Sequence, residues 1–94
     1  MKHIVIFKFK EEAYTREFFQ YTHDSFTEMV KHITGVNGFK LIENIMDRDA
    51  NGQLMLEVDL ETKEMLEVYL DHPLHVAYAN FIKPILIQKI SLDY

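Results

Sequence analysis

The side chains best suited to chemistry lie in one short segment, Tyr69-Leu70-Asp71-His72-Pro73-Leu74-His75, and at His3 near the start of the chain. Histidine has an ordinary pKa of about 6.5, so it can accept and return a proton at neutral pH. A tyrosine hydroxyl can donate a hydrogen bond to an oxygen on which negative charge develops. Together these groups suit a step that removes a proton next to a carbonyl group, such as an enolisation or an aldol condensation.

The position of Pro73 predicts different surroundings for the two histidines of this segment. Proline is favoured in the first turn of a helix, so a helix that begins at Pro73 places His75 in its first turn and His72 near its N-terminal cap. A helix N-terminus disfavours a nearby cation, which keeps His75 neutral and able to act as a base. His72 is assigned to the substrate-binding residues, with the alternative that its ring hydrogen-bonds the backbone and orients the turn.

Each of these candidate residues also has a purely structural interpretation. His3 on a strand can be a hydrogen-bonded core or interface histidine, and Tyr69 can simply pack its ring against neighbours. Phe7 and Phe26 are assigned to the lining of an apolar pocket, although aromatic side chains of this kind also form cores. Three histidines also suit a divalent metal ion, but their spacing matches no known ligand pattern, so we predict neither a metal nor a cofactor.

The composition of the chain narrows its class of partner. A length of 94 residues, 48% of them hydrophobic, suits a single folded domain over residues 1–94. The absence of cysteine excludes disulfides, thiolate metal sites and cysteine nucleophiles. The net charge of −5 argues against nucleic acid, and no apolar run is long enough for a signal peptide or a membrane span. We therefore expect a cytoplasmic protein with a small-molecule or protein partner.

Hydrophobic alternation predicts the strands that must position these side chains. The predicted strands span residues 3–9, 39–46, 54–60 and 85–92. The run 47–52 predicts a hairpin turn between the second and third strands, because Asn and Gly accept positive φ angles. The first strand places His3, Val5, Phe7 and Phe9 on one side and Ile4, Ile6 and Lys8 on the other.

Three- and four-residue spacing predicts the helices. The first helix begins near Thr15 and ends at Gly35. Thr62 is the predicted cap of a short helix through Tyr69, and a further helix runs from Pro73 toward Pro84. The order is β-α-β-β-α-β with a split second helix, which predicts a ferredoxin-like α+β fold with helices on one face of an antiparallel sheet.

The face of the sheet away from the helices is predicted to be apolar as well. Ile4 and Ile6 oppose Val5 and Phe7 in the first strand, and the last strand also carries apolar residues on both sides. An exposed apolar patch of this kind usually marks a partner surface. We therefore predict a homodimer in which two sheets pack through their open faces.

Two motifs, the opening Lys2-His3-Ile4-Val5-Ile6-Phe7-Lys8 and the Tyr69 to His75 segment, resemble the Dabb family of stress-responsive dimeric α/β-barrel domains. The resemblance spans nearly the whole chain, including the hairpin turn and the Ile-Lys-Pro run before the last strand. It implies a dimeric α/β barrel with a small apolar or aromatic ligand between sheet and helices.

The resemblance also implies an activity through one enzyme of the family, olivetolic acid cyclase, which closes a linear polyketide by an intramolecular aldol condensation. Carried over by motif, the site residues of that cyclase match His3, Tyr69 and His75 in this sequence, and a further pocket tyrosine falls near Phe26. Three functions stay open: proton-transfer chemistry of the polyketide-cyclase type, a non-enzymatic stress or assembly module, and a cofactor-independent monooxygenase by analogy of fold.

Overall fold

Four strands form one antiparallel sheet, and three helices cover one of its faces. The computed structural model describes residues 1–94. Its elements are β1 (Lys2–Phe9), α1 (Arg16–His32), β2 (Val36–Glu43), β3 (Leu54–Leu60), α2 (Met65–Asp71), α3 (Pro73–Ile82) and β4 (Leu86–Asp93). The strands lie in the order β2-β3-β1-β4, so β1 is central and β4 lies at an edge. The predicted ferredoxin-like α+β fold is confirmed.

Strict alternation in the two central strands builds the core between sheet and helices. Val5, Phe7 and Phe9 of β1 are buried, and every second residue of β3 from Leu54 to Leu60 is at most 2% exposed. His3 lies on the same side of β1 and is 7% exposed. Alternate residues of a strand lie on the same face, so the alternation that buries Val5, Phe7 and Phe9 also places the titratable ring of His3 on the inner face of the sheet.

Local signals set the ends of α1. The Thr15 hydroxyl accepts a hydrogen bond from the backbone N–H of Phe18 at 3.1 Å, which is the predicted N-terminal cap. After α1 the chain turns at Gly35, where φ is +94°, and a side chain at this position would come within 3 Å of Met65. The positive φ is the reason that glycine is needed there, since the flexible Met65 side chain could move aside.

The split of the second helical segment is also confirmed. Pro73 is the first residue of α3, and His72 before it is extended, with φ −65° and ψ 139°. The predicted cap at Thr62 is wrong, because α2 begins at Met65 without any side-chain cap. The Thr62 carbonyl instead accepts a backbone hydrogen bond from Met65, so residues 62–65 form a turn.

The hairpin differs from its prediction in two respects. Strand β2 begins at Val36 and ends at Glu43, because the sheet absorbs Asn37 as the extra residue of a register shift and Asn44 leaves the sheet to hydrogen-bond the Met46 carbonyl. The turn needs no positive φ, since only Gly35 has one. Gly52 is needed for space instead, as an added Cβ would lie 2.5 Å from the Phe7 carbonyl oxygen.

The sheet face away from the helices carries a continuous apolar row. Ile42, Met55, Ile6 and Ile90 are cross-strand neighbours across all four strands, and Leu92 extends the row along β4. We call these five residues the open-face patch. Four of them are 41–62% exposed, as the two-sided pattern of β1 predicts. None of the helices is long and apolar enough to cross a membrane.

Candidate functional site

A cavity of about 180 Å³ lies between the inner face of the sheet and helices α1, α2 and α3. Five predicted site residues line it together: His3, Phe7, Phe26, Tyr69 and His75. Wider depressions of 280–350 Å³ around the hairpin contain no histidine or tyrosine. No group of three or more metal-ligating side chains lies close enough together to hold an ion. The cavity is therefore the place where proton-transferring groups meet.

His75 is held in one tautomer by the backbone. Its Nδ1 lies 2.9 Å from the Leu70 carbonyl oxygen. A carbonyl oxygen can only accept a hydrogen bond, so Nδ1 must carry the proton and Nε2 keeps its lone pair when the ring is neutral. The structure thus leaves the basic nitrogen of His75 free of backbone partners.

The surroundings keep this ring neutral. Burial lowers the pKa of His75, and the charges of Lys89 and His3 lower it further. The hydrogen bond that His75 donates to the Leu70 carbonyl and the charge of Asp71 act in the opposite direction on this pKa. The lowered pKa agrees with the prediction that His75 stays neutral. Its main cause, however, is the loss of hydration on burial, whereas the prediction relied on the helix N-terminus. At neutral pH His75 is therefore a base ready to take a proton.

The ring of Tyr69 lies beside both histidine rings. Its ring centre is 4.6 Å from that of His75 and 6.0 Å from that of His3. The side chain is 1% exposed, yet its hydroxyl has no hydrogen-bond partner in the protein. Burial raises the pKa of Tyr69, so the hydroxyl keeps its proton at any physiological pH. The Tyr69 hydroxyl can therefore donate a hydrogen bond to a molecule bound in the cavity.

His3 is anchored from the last strand. Its Nδ1 lies 2.5 Å from a carboxylate oxygen of Asp93, the residue paired with it across β1 and β4. The carboxylate accepts this hydrogen bond, which leaves Nε2 of His3 for other partners. Sequence reasoning missed Asp93 because the predicted last strand stopped at Leu92. The antiparallel pairing of the first and last strands was the signal that could have found it.

His72 does not line the cavity. Its Nδ1 accepts a hydrogen bond from the backbone N–H of Leu74 at 3.1 Å and caps α3. The alternative role, orienting the turn through a backbone hydrogen bond, is confirmed. Its ring is held at the first turn of its own helix by this hydrogen bond, so His72 is not among the side chains that the cavity brings together.

Three further polar residues of the cavity wall were not predicted. Tyr78 lies three residues after His75, on the same face of α3, and its hydroxyl is 2.9 Å from that of Thr22. Burial raises the pKa of Tyr78 to about 12. Lys89 and Ser91 alternate along β4, opposite Phe7 and Val5. Helical spacing from His75 would have indicated Tyr78, and strand alternation would have paired Lys89 with Ser91.

Comparison with known families gives one full-length match. The model of Dabb, the stress-responsive A/B barrel domain, matches residues 1–94. No curated protein matches the sequence.

Several solved structures share the fold over almost the whole chain. A protein from Arabidopsis thaliana has a TM-score of 0.83 and 22% identity, with 99% of this chain and 91% of that chain covered. A dimeric ferredoxin-like protein from Thermobifida fusca has a TM-score of 0.79 and 18% identity, with 99% and 87% covered. The hydroxynitrile lyase of Passiflora edulis has a TM-score of 0.81 and 13% identity, with 99% and 89% covered. Identities this low establish similarity of fold.

Proposed function

Since this chain belongs to the family of stress-responsive A/B barrel domains, Dabb, we propose that it is a homodimer whose subunits each bind a small, largely apolar molecule and catalyse a proton transfer on it. The observation that carries the proposal is the pairing of His75 with Tyr69. One is a neutral base with a single free nitrogen, and the other is a buried donor without a partner. Both line the same cavity.

The proposed step is an enolisation. Nε2 of His75 takes a proton from a carbon next to a carbonyl group, and the electron pair of the broken C–H bond moves into the enolate. The Tyr69 hydroxyl donates a hydrogen bond to the enolate oxygen as negative charge develops there. The enolate carbon then attacks a second carbonyl of the same molecule, and the His75 imidazolium returns its proton to the new alkoxide. This sequence is an intramolecular aldol addition of the polyketide-cyclase type, and loss of water from the new alcohol would complete the condensation.

His3 and the aromatic residues have supporting roles in this proposal. Nε2 of His3 is free because Asp93 holds Nδ1, so His3 can exchange protons with a second oxygen of the substrate. Phe7 and Phe26 supply the apolar wall. An apolar wall excludes water and strengthens the hydrogen bond from Tyr69.

The size of the cavity limits the ligand. An apolar protein cavity of about 150 Å³ holds one benzene ring. The cavity of this chain measures about 180 Å³. The proposed ligand is therefore a single ring or a short chain of similar volume.

The dimer is proposed to form through the open-face patch. Solved proteins of this fold are described as dimeric, and the patch is an apolar row across all four strands that the helices leave uncovered. The charged residues beside it are paired within one sheet, Lys2 with Asp59 at 3.6 Å and Lys40 with Glu57 at 3.9 Å. Internal pairing leaves little net charge to repel a second copy.

A charge in the patch tests the dimer. Ile90→Glu should give a monomer, because the carboxylate would lose its hydration in the packed sheets. Val68→Glu is the matched control, since Val68 is 52% exposed on α2, away from the patch. Sedimentation velocity measures both. A dimeric Ile90→Glu variant would place the interface elsewhere.

Deuterium exchange tests the chemistry without knowledge of the natural substrate. Acetophenone, a single-ring ketone, is incubated in D₂O with the protein, and the loss of its methyl proton signal is followed by NMR. We expect acceleration over free imidazole at the same concentration, by roughly 10²-fold or more. His75→Ala should abolish the acceleration, whereas His23→Ala, in an exposed ring on α1, should not change it.

The other two functions predict different results in the same experiment. A non-enzymatic stress or assembly module would accelerate no exchange, and its His75→Ala variant would remain a folded dimer. A cofactor-independent monooxygenase would consume oxygen when given a single-ring phenol, which an oxygen electrode measures.

A further inference from the structure

Lys89 is the only lysine or arginine on the cavity wall. Its register opposite Phe7 puts it on the side of β4 that faces the helices. Lys89 and Ser91 are exposed, whereas Phe7 and Tyr69 are buried, so this pair marks the side on which the cavity opens to solvent. A cation thus lies at the entrance of a largely apolar cavity.

No carboxylate of the chain pairs with Lys89. Four of the ten lysines and arginines, Lys2, Arg16, Lys31 and Lys40, form ion pairs within 4 Å, and Lys89 is among the six that form none. Two acidic groups act on the cavity histidines, and neither is paired with Lys89. Asp93 is bound to Nδ1 of His3, and Asp71 lies exposed at the end of α2. The charge of Lys89 is therefore available to a ligand.

An unpaired ammonium group beside apolar walls favours an anion with an apolar body. The interaction is stronger there than in bulk water, because the protein on one side lowers the effective dielectric constant. Ser91 alternates with Lys89 along the strand and can add a hydroxyl donor to the same anionic group.

We propose that the ligand of this cavity is a small monocarboxylate, with one ring or a short apolar chain inside and its carboxylate bound by Lys89 at the entrance. This inference rests on the proposed ligand cavity and names the class of its ligand. The orientation it implies puts the inner end of the molecule beside Tyr69 and His75 and its carboxylate at Lys89.

A lysine that faces inward on an edge strand also has a structural explanation that involves no ligand. Such a charge protects the edge from pairing with a further strand. A lysine with only this use would give the cavity no preference between an anion and a neutral molecule of the same shape. The two explanations therefore differ in a measurable quantity, the ratio of two affinities.

The test compares benzoate with benzyl alcohol, which has a similar shape and no charge. Each is titrated into the intact protein at pH 7.5, and binding is followed by the NMR signals of the Tyr69 and His75 rings. We expect benzoate to bind at least tenfold more tightly than benzyl alcohol. Lys89→Gln should weaken benzoate binding roughly five- to tenfold and leave benzyl alcohol binding unchanged, which also shows that the variant is folded. Lys83→Gln is the matched control, since it removes an exposed lysine outside the cavity wall.

The outcomes separate this inference from the function on which it rests. Equal affinities of the wild-type protein for both molecules, or benzoate binding that Lys89→Gln leaves intact, would overturn the monocarboxylate and keep the cavity. Failure of the wild-type protein to bind either molecule would overturn both.

Discussion

Removal of the Tyr69 hydroxyl should stabilise the fold, or leave its stability unchanged, while it harms catalysis. The ring is 1% exposed and the hydroxyl has no partner in the protein. A buried hydroxyl without a hydrogen bond costs about 1–3 kcal/mol of folding free energy. Tyr69→Phe keeps the ring contacts with His3 and His75 and removes that cost. In a domain of this size, 1 kcal/mol corresponds to a shift of about 4–8 °C in Tm.

Tyr78→Phe provides the matched control. Tyr78 is 2% exposed in the same cavity wall, but its hydroxyl is hydrogen-bonded to that of Thr22 at 2.9 Å. Its removal leaves the Thr22 hydroxyl buried and unpaired, which should cost about 1–3 kcal/mol. Replacement of tyrosine by phenylalanine is thus expected to raise or maintain the free energy of unfolding at position 69 and to lower it at position 78.

Urea and thermal unfolding measure both variants at one protein concentration, because the stability of a dimer depends on concentration. The exchange of acetophenone measures catalysis, where loss of the donor should cost roughly 10²- to 10³-fold. A Tyr69→Phe variant that loses more than about 1 kcal/mol, or as much as Tyr78→Phe, would refute the reasoning. It would mean that the Tyr69 hydroxyl is satisfied in the folded protein.

Two further predictions concern the histidines. Nitrogen-15 NMR of the neutral rings should show the proton of His75 on Nδ1, bound to Leu70, and that of His72 on Nε2, because Nδ1 of His72 accepts from Leu74; one common tautomer would contradict the geometry. The lowered pKa of His75 means that, below about pH 6.5, the unfolded chain takes up a proton that the folded chain resists, so folding stability should fall as pH decreases through that range. His75→Gln should reduce this loss in urea unfolding at pH 7.5 and pH 5.5, and an unchanged loss would assign it to another group.

The fold was predictable because its signals are local or periodic. Alternation in β1 and β3, the cap at Thr15 and the break at Pro73 each act within a few residues, and the structure confirms all of them. Two local predictions were wrong, the helix cap at Thr62 and the positive φ angle in the hairpin turn. Threonine and glycine each occur in several kinds of local structure, so the residue type alone did not decide between them. The sequence predicted a positive φ angle in the turn that contains Gly52. The structure instead needs glycine at this position because the hairpin packs closely against the backbone of β1.

The site was only partly predictable. A motif can indicate His3, Tyr69 and His75, but it cannot show that strand register brings His3 opposite Asp93, or that Lys89 faces the helices. Those relations depend on pairing between residues roughly 80 to 90 positions apart. The roles of the two neighbouring histidines were separable only once their hydrogen bonds were known.

The break between α2 and α3 explains why the two histidines differ. In a continuous helix the Leu70 carbonyl would accept the N–H of Leu74, four residues later. Pro73 interrupts the helix, and Nδ1 of His72 takes the Leu74 N–H instead. The Leu70 carbonyl is thereby left for Nδ1 of His75, which frees Nε2 of that ring. His72 and Pro73 therefore act on the proposed chemistry without lining the cavity. They change the hydrogen-bond partners of the Leu74 N–H and the Leu70 carbonyl, and the Leu70 carbonyl then holds the His75 ring with its proton on Nδ1.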